Sequence, residues 1–143
     1  MNDFYKHNLN TLTLQVTQNC NLRCKYCVYS GSYINRVHTN KRMNWNTAKK
    51  AIDFLQSHSE CSSQVAFGFY GGEPLLEFEL IKKCVAYINQ IFFGKRKTFV
   101  ITTNATLLNE EKLRFFIENN FSIMISLDGP ASVQDGNRVF ADN

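Results

Sequence analysis

Cys20-Asn21-Leu22-Arg23-Cys24-Lys25-Tyr26-Cys27 brings three thiols into eight residues at C-x3-C-x2-C spacing. Thiolates this close in sequence converge on one metal centre when the loop wraps around it. A cubane [4Fe–4S] cluster offers four iron corners, so three cysteines leave one iron open for a non-protein ligand. An open metal position marks a chemical site rather than a structural one. Zinc is the competing reading. It needs a fourth ligand, for which His38 or His7 is available, but structural zinc sites more often use two C-x2-C pairs and there is no second pair here. Three buried free cysteines are the third reading, and an eight-residue loop has no packing need for three. The spacing favours the cluster and leaves the other two readings open.

A second group of chemically capable residues follows at a distance. Gly71-Gly72-Glu73-Pro74 combines glycines, which permit close backbone approach, with a carboxylate suited to an ammonium group. Asn104 and Asp128-Gly129 stand singly further on. The remaining cysteines read as structural or without a role: Cys84 falls on an apolar helical stripe, and Cys61 lies in a polar turn between Glu60 and Ser62. His7, His38 and His58 lie outside the motifs, and Tyr70, immediately before the glycines, is read as a core residue in preference to one that faces a cofactor.

Apolar periodicity supplies the elements that would hold these groups. Leu12 to Val16 is a first strand, followed at once by the cysteine loop. Asn44 caps a helix whose Ala48, Ala51, Ile52 and Leu55 share one face. Val65 to Tyr70 is a continuous apolar run of the kind a buried parallel strand shows. A second helix carries Leu80, Ile81, Cys84, Val85, Ile88 and Phe92 on one stripe, with Gly94 at its C′ position. Thr98 to Thr103 is a third strand. Asn109 caps a third helix, with Glu110 and Glu111 favourably placed in its first turn and Leu113, Phe116 and Ile117 on its buried face; Asn120 suits a left-handed stop. Ser122 to Leu127 is the fourth strand. Strands separated by single helices imply an α/β fold with a parallel sheet. In such folds the site lies at the carboxyl ends of the strands. Each unusual motif sits on that rim.

Composition narrows the class. A chain of 143 residues, 44% hydrophobic and with twelve phenylalanines, can bury a core as one domain. Its net charge of +4 is mild, and the densest basic run, Lys95-Arg96-Lys97, reads as a solvated face, so no nucleic-acid partner is expected. Met1 to Asn10 lacks the apolar region of a secretory signal. No apolar run reaches the roughly 18 residues of a membrane span. A cytoplasmic location without membrane attachment is therefore expected, where cysteines stay reduced.

The cysteine loop after the first strand resembles the signature of the radical S-adenosylmethionine (SAM) superfamily. Tyr26 occupies the aromatic position that lies against the adenine in that family. Gly71-Gly72-Glu73-Pro74 matches its GGEP motif, which holds the amino group of SAM. Thr102-Thr103-Asn104 resembles its TNG pattern, with Ala105 in place of glycine. Ser126-Leu127-Asp128-Gly129-Pro130 looks like the SLDGP segment of the SPASM-type subgroup, and Arg138 falls where that subgroup places an arginine near SAM; Gln134-Asp135 stands where it often has His-Asp. The resemblance runs from Leu9 to Arg138. It implies a [4Fe–4S] cluster on Cys20, Cys24 and Cys27, and SAM positioned by Tyr26, Gly71, Gly72, Glu73, Asn104, Ser126 and Arg138. It also implies reductive cleavage of SAM to a 5′-deoxyadenosyl radical, an electron donor such as flavodoxin or ferredoxin, and a peptide or protein substrate.

The same resemblance implies a partial (β/α) barrel: the first three β/α units plus strand four, out of six units in the family. Residues 1–143 then form the N-terminal portion of a radical SAM core, expected to bind iron but not to modify a peptide by itself. The function class that competes with the enzyme is a catalytically incompetent metal-binding fragment or zinc-binding module.

Overall fold

The computed structural model describes residues 8–29, 33–35 and 37–141. Strand β1 (Thr11–Thr17) leads into the cysteine loop, inside which Leu22–Cys24 forms a short β2. Helix α1 (Trp45–Ser57), strand β3 (Gln64–Gly71), helix α2 (Phe78–Ile91) and strand β4 (Arg96–Thr103) follow, with a 3-10 turn over Pro74–Glu77 between β3 and α2. Helix α3 (Glu110–Glu118), strand β5 (Phe121–Ile125), helix α4 (Ala131–Asn137) and strand β6 (Arg138–Phe140) complete the order.

β1, β3, β4 and β5 form a four-stranded sheet in that spatial order, with every pair parallel. The parallel α/β architecture is thus the expected one. Register sets Phe67 against Phe99 and Phe99 against Phe121, so three aromatic rings cross the sheet in a row. Phe99 and Phe121 stack with centroids 5.1 Å apart, an arrangement that adds roughly 1 kcal/mol to the area each ring buries. Leu14, Ile52, Ile81, Cys84, Ile88 and Ile101 close the core around these rings. Cys84 is therefore a packing residue, and burial pushes its thiol up to about 12.

The caps follow the sequence. Asn44 Oδ1 accepts from Thr47 N at 2.9 Å, and Asn109 Oδ1 accepts from Lys112 N at 3.0 Å. Each contributes about 1 kcal/mol by satisfying a donor that the helix leaves free. Asn120 adopts φ 53, the left-handed stop. Helix α2 ends earlier than expected, at Ile91, and Gly94 takes its φ of 82 just beyond the cap residue Phe92. Lys95 and Lys97 donate to main-chain carbonyls, including Ser59 and Phe92, rather than standing as an open basic face.

Helix α3 corrects an expectation. Of Leu113, Phe116 and Ile117, only Phe116 is buried, and Ile117 is 75% exposed. The helical period is right, but among the described residues β5 is the sheet edge, and half of the apolar face has no described residue packed against it. Three elements were not expected at all. β2 and β6 pair antiparallel as a separate ladder, Cys24 against Arg138, and α4 precedes β6 with no buried residue.

Candidate active site

The cysteine loop is fastened to the end of β3 by backbone. Gly72 N donates to Thr17 O and Glu73 N to Asn19 O, each at 2.9 Å. A Cβ on Gly71 would lie 2.1 Å from Thr17 O, and one on Gly72 would lie 2.1 Å from Asn19 O. The paired glycines are thus required by the chain's own loop. Asn19 Oδ1 accepts from Cys20 N at 2.9 Å, and Arg23 Nη1 donates to Cys20 O at 2.6 Å, turning the loop back on itself.

The three motif cysteines line one pocket of about 260 Å³ above the carboxyl ends of the strands. Every sulfur has an N–H donor near it. Leu22 N reaches Cys20 Sγ at 3.3 Å, Tyr29 N reaches Cys27 Sγ at 3.4 Å, and Arg138 Nη1 stands 3.9 Å from Cys24 Sγ. Iron–sulfur sites use donors of this kind to stabilise ligand thiolates. Burial pushes the Cys20 and Cys24 thiols upward, with Arg138 opposing that rise at Cys24. A metal centre would reverse this by favouring the thiolates. Among the described residues, no three His, Cys, Asp or Glu side chains group as a single ion would need. A cluster spreads its ligands over separate iron corners. Three cysteine sulfurs with N–H donors beside them are a donor set suited to a Cys-ligated cluster. His38, a candidate fourth zinc ligand, instead lies with Nε2 3.0 Å from Arg23 Nη2, and His7 falls outside the described residues.

Glu73 works inward. It is 0% exposed. Its Oε1 accepts from Leu75 N at 3.0 Å and Thr103 Oγ1 at 2.7 Å, and its Oε2 accepts from Asn104 N at 2.8 Å. Burial pushes its carboxyl above the usual range despite these donors. Asn104, held this way, donates from Nδ2 to Asn21 Oδ1 at 3.0 Å and stands 3.7 Å from Cys20 Sγ.

The far wall is polar and charged. Asp128 accepts from Tyr26 Oη at 2.6 and 2.7 Å and from Arg138 Nε and Nη2 at 2.9 and 2.8 Å. The guanidinium also sits 5.6 Å from the Tyr26 ring centroid. These partners hold the Asp128 carboxyl below the usual range. Loss of water and the hydrogen bond to Asp128 push the Tyr26 phenol up to about 12. Gln134 Oε1 accepts from Asp128 N at 2.9 Å, and Ser126 N donates to Thr103 O at 3.0 Å.

Of the residues picked out by sequence, Cys20, Cys24, Cys27, Tyr26, Gly72, Asn104, Ser126 and Arg138 line the pocket, whereas Gly71 and Glu73 stand behind it. Tyr70 corrects an expectation: it is 42% exposed and lines the pocket rather than the core. Its place in β3's alternation, between buried Phe69 and Gly71, could have revealed this. Asp128 was noted on the rim but given no role, and nothing local marks it as the partner of Tyr26.

A model of the radical SAM superfamily matches residues 14–138. An uncharacterized protein of Methanocaldococcus jannaschii is 42% identical over 129 residues, which cover 90% of this chain and 41% of that protein. A cysteine-type anaerobic sulfatase-maturating enzyme of Clostridium novyi is 32% identical over 137 residues, 94% of this chain and 36% of the enzyme. Among solved structures, native anSMEcpe with bound AdoMet matches with a TM-score of 0.82 at 26% identity, over 94% of this chain and 37% of that one. The same protein with AdoMet and a Cp18Cys peptide matches with a TM-score of 0.77 at 26% identity, over 94% and 35%. The chain spans about two fifths of the length of these relatives.

Proposed function

Because the chain belongs to the radical SAM superfamily, we propose that Cys20, Cys24 and Cys27 hold a [4Fe–4S] cluster, with SAM beside it, in an enzyme that modifies a peptide or protein side chain. The observation that carries this reading is the placement of all three sulfurs in one pocket, each with an N–H donor. When bound and reduced, such a cluster supplies the electron that splits SAM into methionine and a 5′-deoxyadenosyl radical, which then takes a hydrogen atom from the substrate.

The chain's own residues bind, orient and shield. Arg138 offers a cation to the carboxylate of SAM, and Ser126 offers a hydroxyl on the same wall. Gly72 and the turn at Asn104 present backbone to its amino group. Gly71 and Glu73 serve that contact from behind: Gly71 lets β3 meet Thr17, and Glu73 fixes Asn104 N. Tyr26 gives a ring face to the adenine. The peptide substrate class is suggested by the sulfatase-maturating relative and by anSMEcpe with its bound peptide. A small redox protein such as flavodoxin or ferredoxin would supply electrons, in a reducing compartment such as the cytoplasm.

Anaerobic reconstitution with iron and sulfide tests the reading. Roughly four irons per chain and a broad visible absorption are expected. Cys24→Ala should abolish both, while Cys84→Ala should keep them. Stoichiometric zinc binding with no iron–sulfur absorption would instead support a zinc module and overturn the proposal.

A further inference from the structure

Asp128 has no part in the chemistry assigned so far, yet it links three elements of the pocket. Both of its oxygens accept from the Tyr26 hydroxyl, at 2.6 and 2.7 Å, and Oδ1 also accepts from Arg138 Nε and Nη2, at 2.9 and 2.8 Å. Its main-chain N–H donates to Gln134 Oε1 at 2.9 Å, which fixes the turn after β5. The Asp128 and Arg138 side chains are only 14% and 12% exposed, so solvent screens this pair weakly. With Nε and Nη2 occupied, the fork geometry of a guanidinium leaves Nη1 aimed elsewhere. It points at Cys24 Sγ, 3.9 Å away. The β2–β6 pairing of Cys24 with Arg138 holds the two backbones in register for this contact.

We propose that Asp128 is a positioning residue that fixes Arg138 over the Cys24 sulfur, so that the guanidinium raises the reduction potential of a cluster held there. The inference rests on the cluster reading of the preceding subsection. An N–H donor and a positive charge beside a ligand sulfur favour the reduced, more negative cluster. Asp128 as a bare anion would do the opposite. Its two influences therefore separate by sign.

The test is a double-mutant cycle on the reconstituted protein, reading the midpoint potential of the cluster by redox titration followed by electron paramagnetic resonance. Arg138→Gln should move the potential to a more negative value. Asp128→Asn removes an anion, which raises the potential, and frees Arg138, which lowers it; in the Arg138→Gln background only the first effect remains. The upward shift caused by Asp128→Asn should accordingly be larger in that background than in the otherwise unchanged chain. Equal shifts in the two backgrounds overturn the inference while leaving the cluster reading intact, and an unchanged chain that takes up no iron overturns both. Loss of the cluster in Asp128→Asn but not in Arg138→Gln also overturns it, because Asp128 would then serve the loop and not the arginine. If both variants lose the cluster, thermal unfolding of the iron-free chains decides. A double variant no less stable than the worse single supports the coupling, and additive losses overturn it.

Discussion

The two sides of the sheet are built differently. From β1 to β4 the chain forms a closed interior: β3 and β4 each bury alternate residues, α2 buries five, and Phe67, Phe69 and Ile101 have almost no exposed surface. Among the described residues from α3 onward, the only fully buried side chain of a helix or strand is Phe116, and Met124 on β5 is 60% exposed. Yet this thin side supplies Ser126, Asp128 and Arg138. The cysteine wall of the pocket therefore rests on packed ground, while the far wall is held mainly by polar contacts. Free energy of local opening follows packing, so the far wall should open first.

Gly72→Val attacks the packed side where it tolerates least. A side chain there meets the Asn19 carbonyl, so the cysteine loop must leave β3. Destabilisation of about 4 kcal/mol or more is expected, together with loss of iron uptake, because backbone cannot be displaced like a flexible side chain. On the thin side, Gly136→Ala meets nothing within 4 Å and should keep iron uptake. Iron content and chemical denaturation of the two variants make the contrast. Retention of the cluster in Gly72→Val would mean that the loop is not anchored through β3.

The next largest contrast is in core energetics. Phe67→Ala should cost about 3–5 kcal/mol, the range for a fully buried aromatic. Ile117→Ala should change stability by less than about 0.5 kcal/mol, as for an exposed residue. A comparable loss at Ile117 would show that α3's outer face is covered in solution.

Glu73 gives a pH signature on the packed side. Its folded pKa is raised by burial, so the folded chain holds that proton more tightly than the unfolded chain does. Stability from this group is then greatest below the unfolded carboxyl value of about 4.3, and declines as pH rises through the folded value. Thermal unfolding should show the difference between the unchanged chain and Glu73→Gln shrinking as pH rises over that window. A difference that grows instead would mean that the donors from Thr103, Leu75 and Asn104 outweigh burial.

The packed side was also the legible one. Leu14, Val16 and the Phe-rich strands announce themselves by runs and alternation, and Asn44 and Asn109 mark helix starts because a short oxygen side chain satisfies the first free N–H groups. Cys20, Cys24 and Cys27 are legible because a reactive residue type repeats at close spacing. The thin side carried less signal. Leu113 and Ile117 have the period of a buried face, and period says nothing about whether a partner is present. β2 and β6 are three residues each, too short for any alternation to register. Asp128 looks like any turn aspartate, since its role depends on Tyr26, 102 positions earlier, being folded against it. Glu73 was placed in the pocket by its motif, but the direction its side chain takes comes from three donors, two of them on a distant strand end.

The smallest expected effect lies at the junction of the two sides. Ala105 follows β4 and stands where the resembling motif has glycine, and its φ is 66. An L-residue in the left-handed region brings Cβ too close to the carbonyl oxygen that follows, at a cost of about 1–2 kcal/mol, which glycine avoids. The conformation persists because its neighbours over-determine it: Ala105 N donates to Thr103 Oγ1 at 3.0 Å, Leu108 N donates to Ala105 O at 3.1 Å, and Thr106 N donates to Asn104 Oδ1 at 3.0 Å. Ala105→Gly relieves the strain in the folded chain but adds backbone freedom to the unfolded one, which returns part of the gain. A net stabilisation of about 0.5–1 kcal/mol is expected, or roughly 2–4 °C in melting temperature. Iron uptake should be unchanged, because the turn already holds Asn104 beside Cys20. A lower melting temperature would mean that the Ala105 methyl makes contacts worth more than its strain, and that the two sides are joined by packing at this turn rather than by its hydrogen bonds.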